Sequence, residues 1–501
     1  MSALGDFRQL VQDITDLSGA ASVLEWDQQT YMPRGGALTR GQQLATLERT
    51  VHNLRTGPAF EAALGAAERE APTNAVDSAL LEVSRRDFER QRKLPSDFVQ
   101  AFSEARTASS NAWEQARADN DFKGFEPHLV KMFDFAARSA DLYGYKDHPY
   151  DALLYDYEPG VSTAEVRAAF TELRAFTAPL VRRIAERVQA GGELADPAIL
   201  ERAYPIEGQR RFGLKVAAAF GFDLNRGRQD LAVHPFETNF SRDDVRITTR
   251  FQEHYLNDAM FSTFHEAGHG IYEQNTAPEL ARTPLARGAS SMVHESQSRT
   301  WENLVGRSRP FWRHWLPELK AEFPEALADV DAETIYRLVN RVQPSFIRVD
   351  ADEVTYNLHI MLRFELELAV LEGGLKVSEL PEAWNAKMQD FLGVTPPTDR
   401  LGVLQDVHWS AGLVGYFPTY TLGNILSVQL YEAARAATPG LDAALAAGNY
   451  APLREWLSGH VHRFGRMLLP LDLVRQATGS GLNAEPYTRY LNDKYSQLYG
   501  L

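Results

Sequence analysis

Hydrophobic residues recur at intervals of three and four along most of the chain, with Glu, Gln and Arg between them, which is the period of amphipathic helices. The pattern predicts helices over residues 39–67, 74–93 and 98–118. A turn-rich piece, "YGYKDHPYDALLYDYEPG", fills residues 143–160. Pro159-Gly160 then breaks the chain before a helix opened by Ser162 and Glu165 at capping-box spacing. Another helix is expected over 210–220, closed by the glycines and asparagine of "FGFDLNRGRQD". From Val233 the period shortens. "VHPFETNFSRDDVRITTRF" alternates Phe240, Val245, Ile247 and Thr249 with charged residues, which predicts short strands. Helices follow at 260–274, 292–305, 334–342, 351–371, 408–437 with a break near Pro418, and 453–475, while Pro396-Pro397 marks a loop. The expectation is a mainly α protein, one large helical body over residues 1–501 with a substrate cleft and a small sheet just before the helix of "HEAGHG". Helical subregions 1–230 and 231–501 are expected to flank that cleft.

Composition narrows the chemistry. The chain has 501 residues, 44% of them hydrophobic and 24% charged, which are ordinary globular values. Cysteine is absent, excluding disulfides, thiolate nucleophiles and cysteine-ligated zinc, so any metal must sit on His, Asp or Glu. A net charge of -15 opposes binding to a phosphate backbone. The densest basic run, "RRDFERQRK", is interrupted by acids and reads as a solvated helix face. "MSALGDFRQL" has no signal-peptide pattern, and no run approaches about 18 apolar residues. Both point to a soluble cytoplasmic protein with neither nucleic acid nor membrane as partner.

In "FSTFHEAGHGIYEQ", His265 and His269 stand four apart, so on a helix both imidazoles face one way and can share a metal. Glu266, one position round, is placed to reach a metal-activated water, take its proton and deliver it to a leaving amine. The alternative is two histidines on a solvated helix face. Phe261, Phe264, Ala267 and Ile271 argue for a less wet setting. Gly268 costs up to about 1 kcal/mol in a helix interior, so a substrate strand or second helix is expected to pack closely against it. Glu295 in "SMVHESQSRTWEN" lies on a second expected helix after the "TPLARGAS" reversal, and completes a His2Glu set. His294 points about 100 degrees away from it and is a candidate beside the ligands or against substrate. An exposed carboxylate is the alternative for Glu295.

With these residues in view, the chain resembles the carboxypeptidase Taq metallopeptidases over nearly its whole length. The family pattern DxRxT is matched by Asp244, Arg246 and Thr248, and HExxH by His265, Glu266 and His269. The HES pattern with its glutamine falls on His294 to Gln297, IRxxAD on Ile347, Arg348, Ala351 and Asp352, and GxxQDxHW on Gly402, Gln405, Asp406, His408 and Trp409. "WDQQTYMP" from Trp26 and "HPYDALL" from His148 are also similar to the family. The resemblance implies a zinc- or cobalt-dependent carboxypeptidase acting on peptides with a free C-terminal carboxylate. It also implies a homodimer and a neurolysin-like helical fold.

Cutting at a peptide's end requires recognition of the α-carboxylate, for which a planar guanidinium is the natural partner. The resemblance assigns this to Arg348. Arg246, beside Asp244, is a second candidate, or else holds the strands together. Asp350, Asp352 and Glu353 have an ordinary explanation as helix-start acids. Related oligopeptidases carry catalytic tyrosines in a segment similar to "DVHWSAGLVGYFPTYTLGN". That likeness makes Tyr420 the candidate oxyanion donor and Tyr416 and His408 candidate substrate contacts. His234 in "HPFETNF" is a further candidate substrate contact. An oligoendopeptidase with the same metal centre, or a non-catalytic helical binding protein, are the competing functions.

Overall fold

The computed structural model describes every residue except Met1 and Glu193, and helices dominate it. Among the described residues the strands form one three-stranded sheet of β1 (Gly227–Leu231), β2 (Glu237–Ser241) and β3 (Asp244–Thr249), in the order β1-β3-β2. β1 runs parallel to β3 and β2 antiparallel, with an irregularity between Asn239 and Ser241. Val245 and Ile247 turn to the buried face, as alternation requires. The expected strands therefore exist, but the sheet starts earlier than Val233, at a β1 too charged to read as a strand.

Local signals set many helix ends. Ser162 and Glu165 form both hydrogen bonds of a capping box at the start of Thr163–Gln189. Gly221, at φ 117°, ends the Ile206–Phe220 helix in the left-handed region. Elsewhere the expected helices are divided. Residues 39–67 belong to two helices, Ala37–Thr56 and Pro58–Glu70, because Gly57 is extended and Pro58 starts a new first turn. Residues 408–417 are turns, and the helix begins at Pro418. The segment 453–475 breaks at Val461, at Gly465 with φ 48°, and at Pro470. Residues 351–355 lie outside their helix, which runs Tyr356–Leu371. Asp352 nevertheless caps the approach, accepting from the N–H groups of Val354 and Thr355 at 2.9 and 3.1 Å.

The chain divides into two compact units. One comprises Met1–Arg92, Ala195–Val339 and Leu430–Gly481; the other comprises Lys93–Leu194, Asn340–Gln429 and Leu482–Leu501. Each draws on three separate segments, so a division at residue 230 follows neither unit. The first has a core containing Phe7, Phe60, Leu64, Leu80, Phe88 and Leu285, and it carries the sheet. Within it Phe220 stacks on Trp301 at 4.8 Å and meets Phe264 edge-on at 5.5 Å, which anchors the HExxH helix to its neighbours. The second unit packs Phe98, Met132 and Phe135 between its own helices. Among the described residues no helix is long and apolar enough to cross a membrane.

Candidate functional site

The Leu256–Gln274 helix carries His265 and His269 one turn apart, and the Ser291–Arg299 helix brings Glu295 to them. Gly268 is what permits the approach: a Cβ there would lie 2.6 Å from the Ser298 Cα and 2.8 Å from the Gln297 carbonyl oxygen. The close neighbour expected at this glycine is thus the second helix. Ser290 caps that helix through the Val293 N–H at 3.3 Å.

The three candidate ligand atoms converge. Nε2 of His265 and Nε2 of His269 are 3.2 Å apart, and Oε2 of Glu295 lies 3.6 Å from the first and 3.4 Å from the second. A tetrahedral metal with ligands at about 2.1 Å has ligand–ligand edges of roughly 3.4 Å, so this set fits a zinc-like ion. Among the described residues it is the group of His and acidic side chains arranged to hold a metal.

Each ligand has a partner fixing it from behind. His265 Nδ1 lies 2.9 Å from Oε2 of Glu302, which also accepts from Arg299 at 3.0 Å, while Arg307 donates to its other oxygen at 3.1 Å. His269 Nδ1 lies 2.5 Å from His294 Nδ1, and His294 Nε2 lies 2.8 Å from Oε1 of Glu273. With a metal on Nε2 of both histidines, Nδ1 would carry the proton and donate outward along both chains. Arg299 Nε donates to Glu295 Oε1 at 2.6 Å, leaving Oε2 to face the histidines.

Electrostatics keep His269 and Glu295 in ligand form, whereas at His265 burial favours the neutral ring but Glu295 and Glu302 outweigh it and raise its pKa. Burial lowers His269 to about 3, so its imidazole is neutral. Burial would push Glu295 up, but Arg299 and both histidines hold it far below the usual carboxylate range. Glu266 is 6% exposed, and burial raises it to about 7, with His265 lowering it and Glu295 and Glu302 raising it. A dication on the ligands would draw it down, toward the ionised form a base needs.

A second cluster lies wholly in the other unit. Arg348 is buried; its Nε and Nη2 donate to Oδ1 of Asp406 at 3.0 and 2.9 Å, and its Nη1 to the Tyr356 hydroxyl at 3.0 Å. Arg363, fully buried, binds the other Asp406 oxygen at 2.6 Å. The Tyr420 ring lies 5.0 Å from the Arg348 guanidinium carbon, and its hydroxyl is 3.2 Å from His408 Nε2. Tyr416 meets Tyr420 edge-on at 5.3 Å. Burial and the adjacent Arg348 lower His408 to about 3, so it is neutral.

The structure therefore gathers His265, Glu266, His269, His294 and Glu295 in one cluster, and Arg348, His408, Tyr416 and Tyr420 in another. Arg246 is occupied elsewhere: it pairs with both oxygens of Asp244 at 3.0 Å, and lies 4.1 Å from the Trp26 ring and 4.7 Å from that of Phe240. His234 is exposed in the connection from β1 to β2. Sequence reasoning gave no role to Glu302, Glu273, Asp406 or Arg363. Glu273 was signalled by a four-residue step beyond His269, and Glu302 by a seven-residue step beyond Glu295, although a π-helical stretch, Thr300–Gly306, intervenes before the latter.

A family model described as carboxypeptidase Taq (M32) metallopeptidase matches residues 6–495. The chain belongs to this family. Thermostable carboxypeptidase 1 of Thermus thermophilus is 40% identical to it over 496 residues, which is 97% of this chain and 96% of that protein. Carboxypeptidase 1 of Bacillus subtilis is 37% identical over 495 residues, 99% of this chain and 98% of its own. The crystal structure of the M32 carboxypeptidase from Deinococcus radiodurans R1 superposes with a TM-score of 0.96 at 42% identity, covering 100% of both chains. This chain is a metallocarboxypeptidase, and peptides are its substrate class.

Proposed function

We propose that this metallocarboxypeptidase removes the C-terminal residue of peptides by attack of water, that His265, His269 and Glu295 would hold zinc, and that Arg348 binds the free α-carboxylate. When bound, zinc supplies Lewis acidity, which makes water a competent nucleophile near neutral pH and polarises the scissile carbonyl. Glu266 accepts a proton from the attacking water and returns it to the leaving amine. Tyr420 donates a hydrogen bond from its hydroxyl to the developing oxyanion and is positioned by His408. Tyr416 and His408 flank the bound peptide. His294 orients His269, Arg246 braces the strand layer, and His234 remains a candidate contact at its rim.

The observation that carries the assignment is the charge state of the Arg348 cluster. Two guanidiniums, Arg348 and Arg363, share the single carboxylate of Asp406, and His408 is neutral. Among these four groups one positive charge is left over in a buried setting that favours an anionic partner. Three of Arg348's five N–H groups are used, so each terminal nitrogen keeps one for a carboxylate. Zinc, with cobalt as a substitute, and a homodimer belong to the same proposal and rest on family resemblance; a cytoplasmic location is proposed with them.

A peptide and its C-terminally amidated form provide the test. Amidation is expected to lower kcat/KM by roughly 10- to 100-fold, the worth of hydrogen bonds to a charged group. Equal cleavage of the two would instead support an oligoendopeptidase with the same metal centre.

A further inference from the structure

Away from the ligand triad, the first unit contains a cavity of about 110 Å³ lined by Arg55, Arg287, Arg466, Ser84, Phe60 and Phe88, among others. The volume accommodates several waters and therefore a compact ion. The charge around it is unbalanced. Arg466 is satisfied, donating to both oxygens of Asp87 at 2.9 and 3.0 Å. Arg86 approaches the same carboxylate at 3.9 Å. Among the described residues Arg55 donates only to the Ser18 hydroxyl, at 3.2 Å. Arg287 makes no ion pair among the described residues; its attraction to Glu25 and Glu237 acts at longer range.

Three guanidiniums thus face the cavity with one carboxylate in its lining. This occurs in a chain whose net charge is -15, so the local excess runs against the overall field. Burial and the neighbouring Arg287 and Arg466 both act against the charge on Arg55, which marks the repulsion the cluster carries. Ser84 lines the same cavity at 4% exposure, and its buried Oγ has no hydrogen-bond partner among the described residues. An anion with several acceptor oxygens would meet all three needs: countercharge for Arg55 and Arg287, fork-shaped pairing, and an acceptor near an unsatisfied hydroxyl.

We propose that this cavity is a binding site for a small phosphate-type oxyanion, either the free ion or the phosphate group of a small ester whose apolar body rests on Phe60 and Phe88. The site is separate from the hydrolytic machinery but adjoins it through the chain. Arg287 precedes Gly288, whose N–H donates to Oε1 of Glu273 at 3.1 Å, the oxygen that also meets His294. Occupancy on Arg287 is thereby felt at the group that orients His269.

The test is calorimetric titration of the zinc-loaded enzyme with sodium phosphate, against sodium chloride at matched ionic strength, with thermal melts in parallel. Saturable phosphate binding is expected, with a Tm that rises with phosphate beyond the chloride control. Arg55→Gln and Arg287→Gln are each expected to weaken binding at least tenfold. Arg287 is exposed, so its variant tests the site without disturbing a core. Phenyl phosphate distinguishes the two sources: tighter binding than phosphate identifies an ester, and equal or weaker binding identifies the free ion. No saturable phosphate binding, or binding unchanged in both arginine variants, would overturn the proposal.

Discussion

Asp406 holds Arg348 through a single oxygen, Oδ1, which accepts from Nε at 3.0 Å and Nη2 at 2.9 Å, while Oδ2 is given to Arg363. Burial would push the Asp406 carboxyl up, but the two guanidiniums hold it well below the usual range, so it stays ionised at any working pH. The arrangement aims a planar fork and neutralises only part of its charge. Arg348→Lys keeps a charge but loses the fork. It is expected to raise KM for free-acid peptides about 10- to 100-fold with a smaller effect on kcat, and to erase most of the preference over amidated peptides. Steady-state kinetics on the paired peptides check this, and an unchanged preference would remove Arg348 from carboxylate recognition.

Gly268 makes a second expectation. Alanine is the better helix former by about 1 kcal/mol. Here, however, its Cβ would sit 2.6 Å from the backbone of Ser298, and neither helix can yield without shifting Glu295 relative to His265 and His269. Gly268→Ala is expected to be net destabilising by about 1–3 kcal/mol and to weaken metal binding, measured by denaturant unfolding and chelator competition. A stabilised variant with normal metal affinity would show that the helices are not in forced contact.

The candidate ligand set was legible in the chain because helical spacing and the reversal between two helices are local properties. His265, His269 and Glu295 follow from them. Asp406 was not legible as an arginine partner, because its meeting with Arg348 and Arg363 joins segments 58 and 43 residues away. Helix breaks at Gly57-Pro58 and Gly465 were blurred by continuous apolar spacing on both sides. The two interleaved units depend on long-range packing, to which periodicity is blind.

Glu367 gives a pH dependence to stability. It is fully buried and accepts from Tyr150 at 2.6 Å, Trp409 at 2.8 Å and the Gly415 N–H at 3.3 Å, yet burial outweighs these bonds and raises it to about 7. Its folded pKa exceeds its unfolded one, so the folded state binds the extra proton between about pH 4.5 and 7, and stability falls as pH rises through that window. Glu367→Gln removes the titration. Unfolding free energies at pH 5 and pH 8 are expected to differ by up to roughly 3 kcal/mol more in the natural protein than in the variant. Equal pH slopes would mean that Glu367 is ionised throughout.

The most direct measurement combines metal content and turnover in Glu266→Gln. Glu266 is not one of the three candidate ligands yet follows His265 directly on the same helix, so its replacement separates metal binding from proton transfer. The variant is expected to retain one zinc per chain while kcat falls by about 100- to 10,000-fold, the scale of lost general base catalysis. Near-normal peptide hydrolysis by a zinc-loaded Glu266→Gln enzyme would contradict the mechanism.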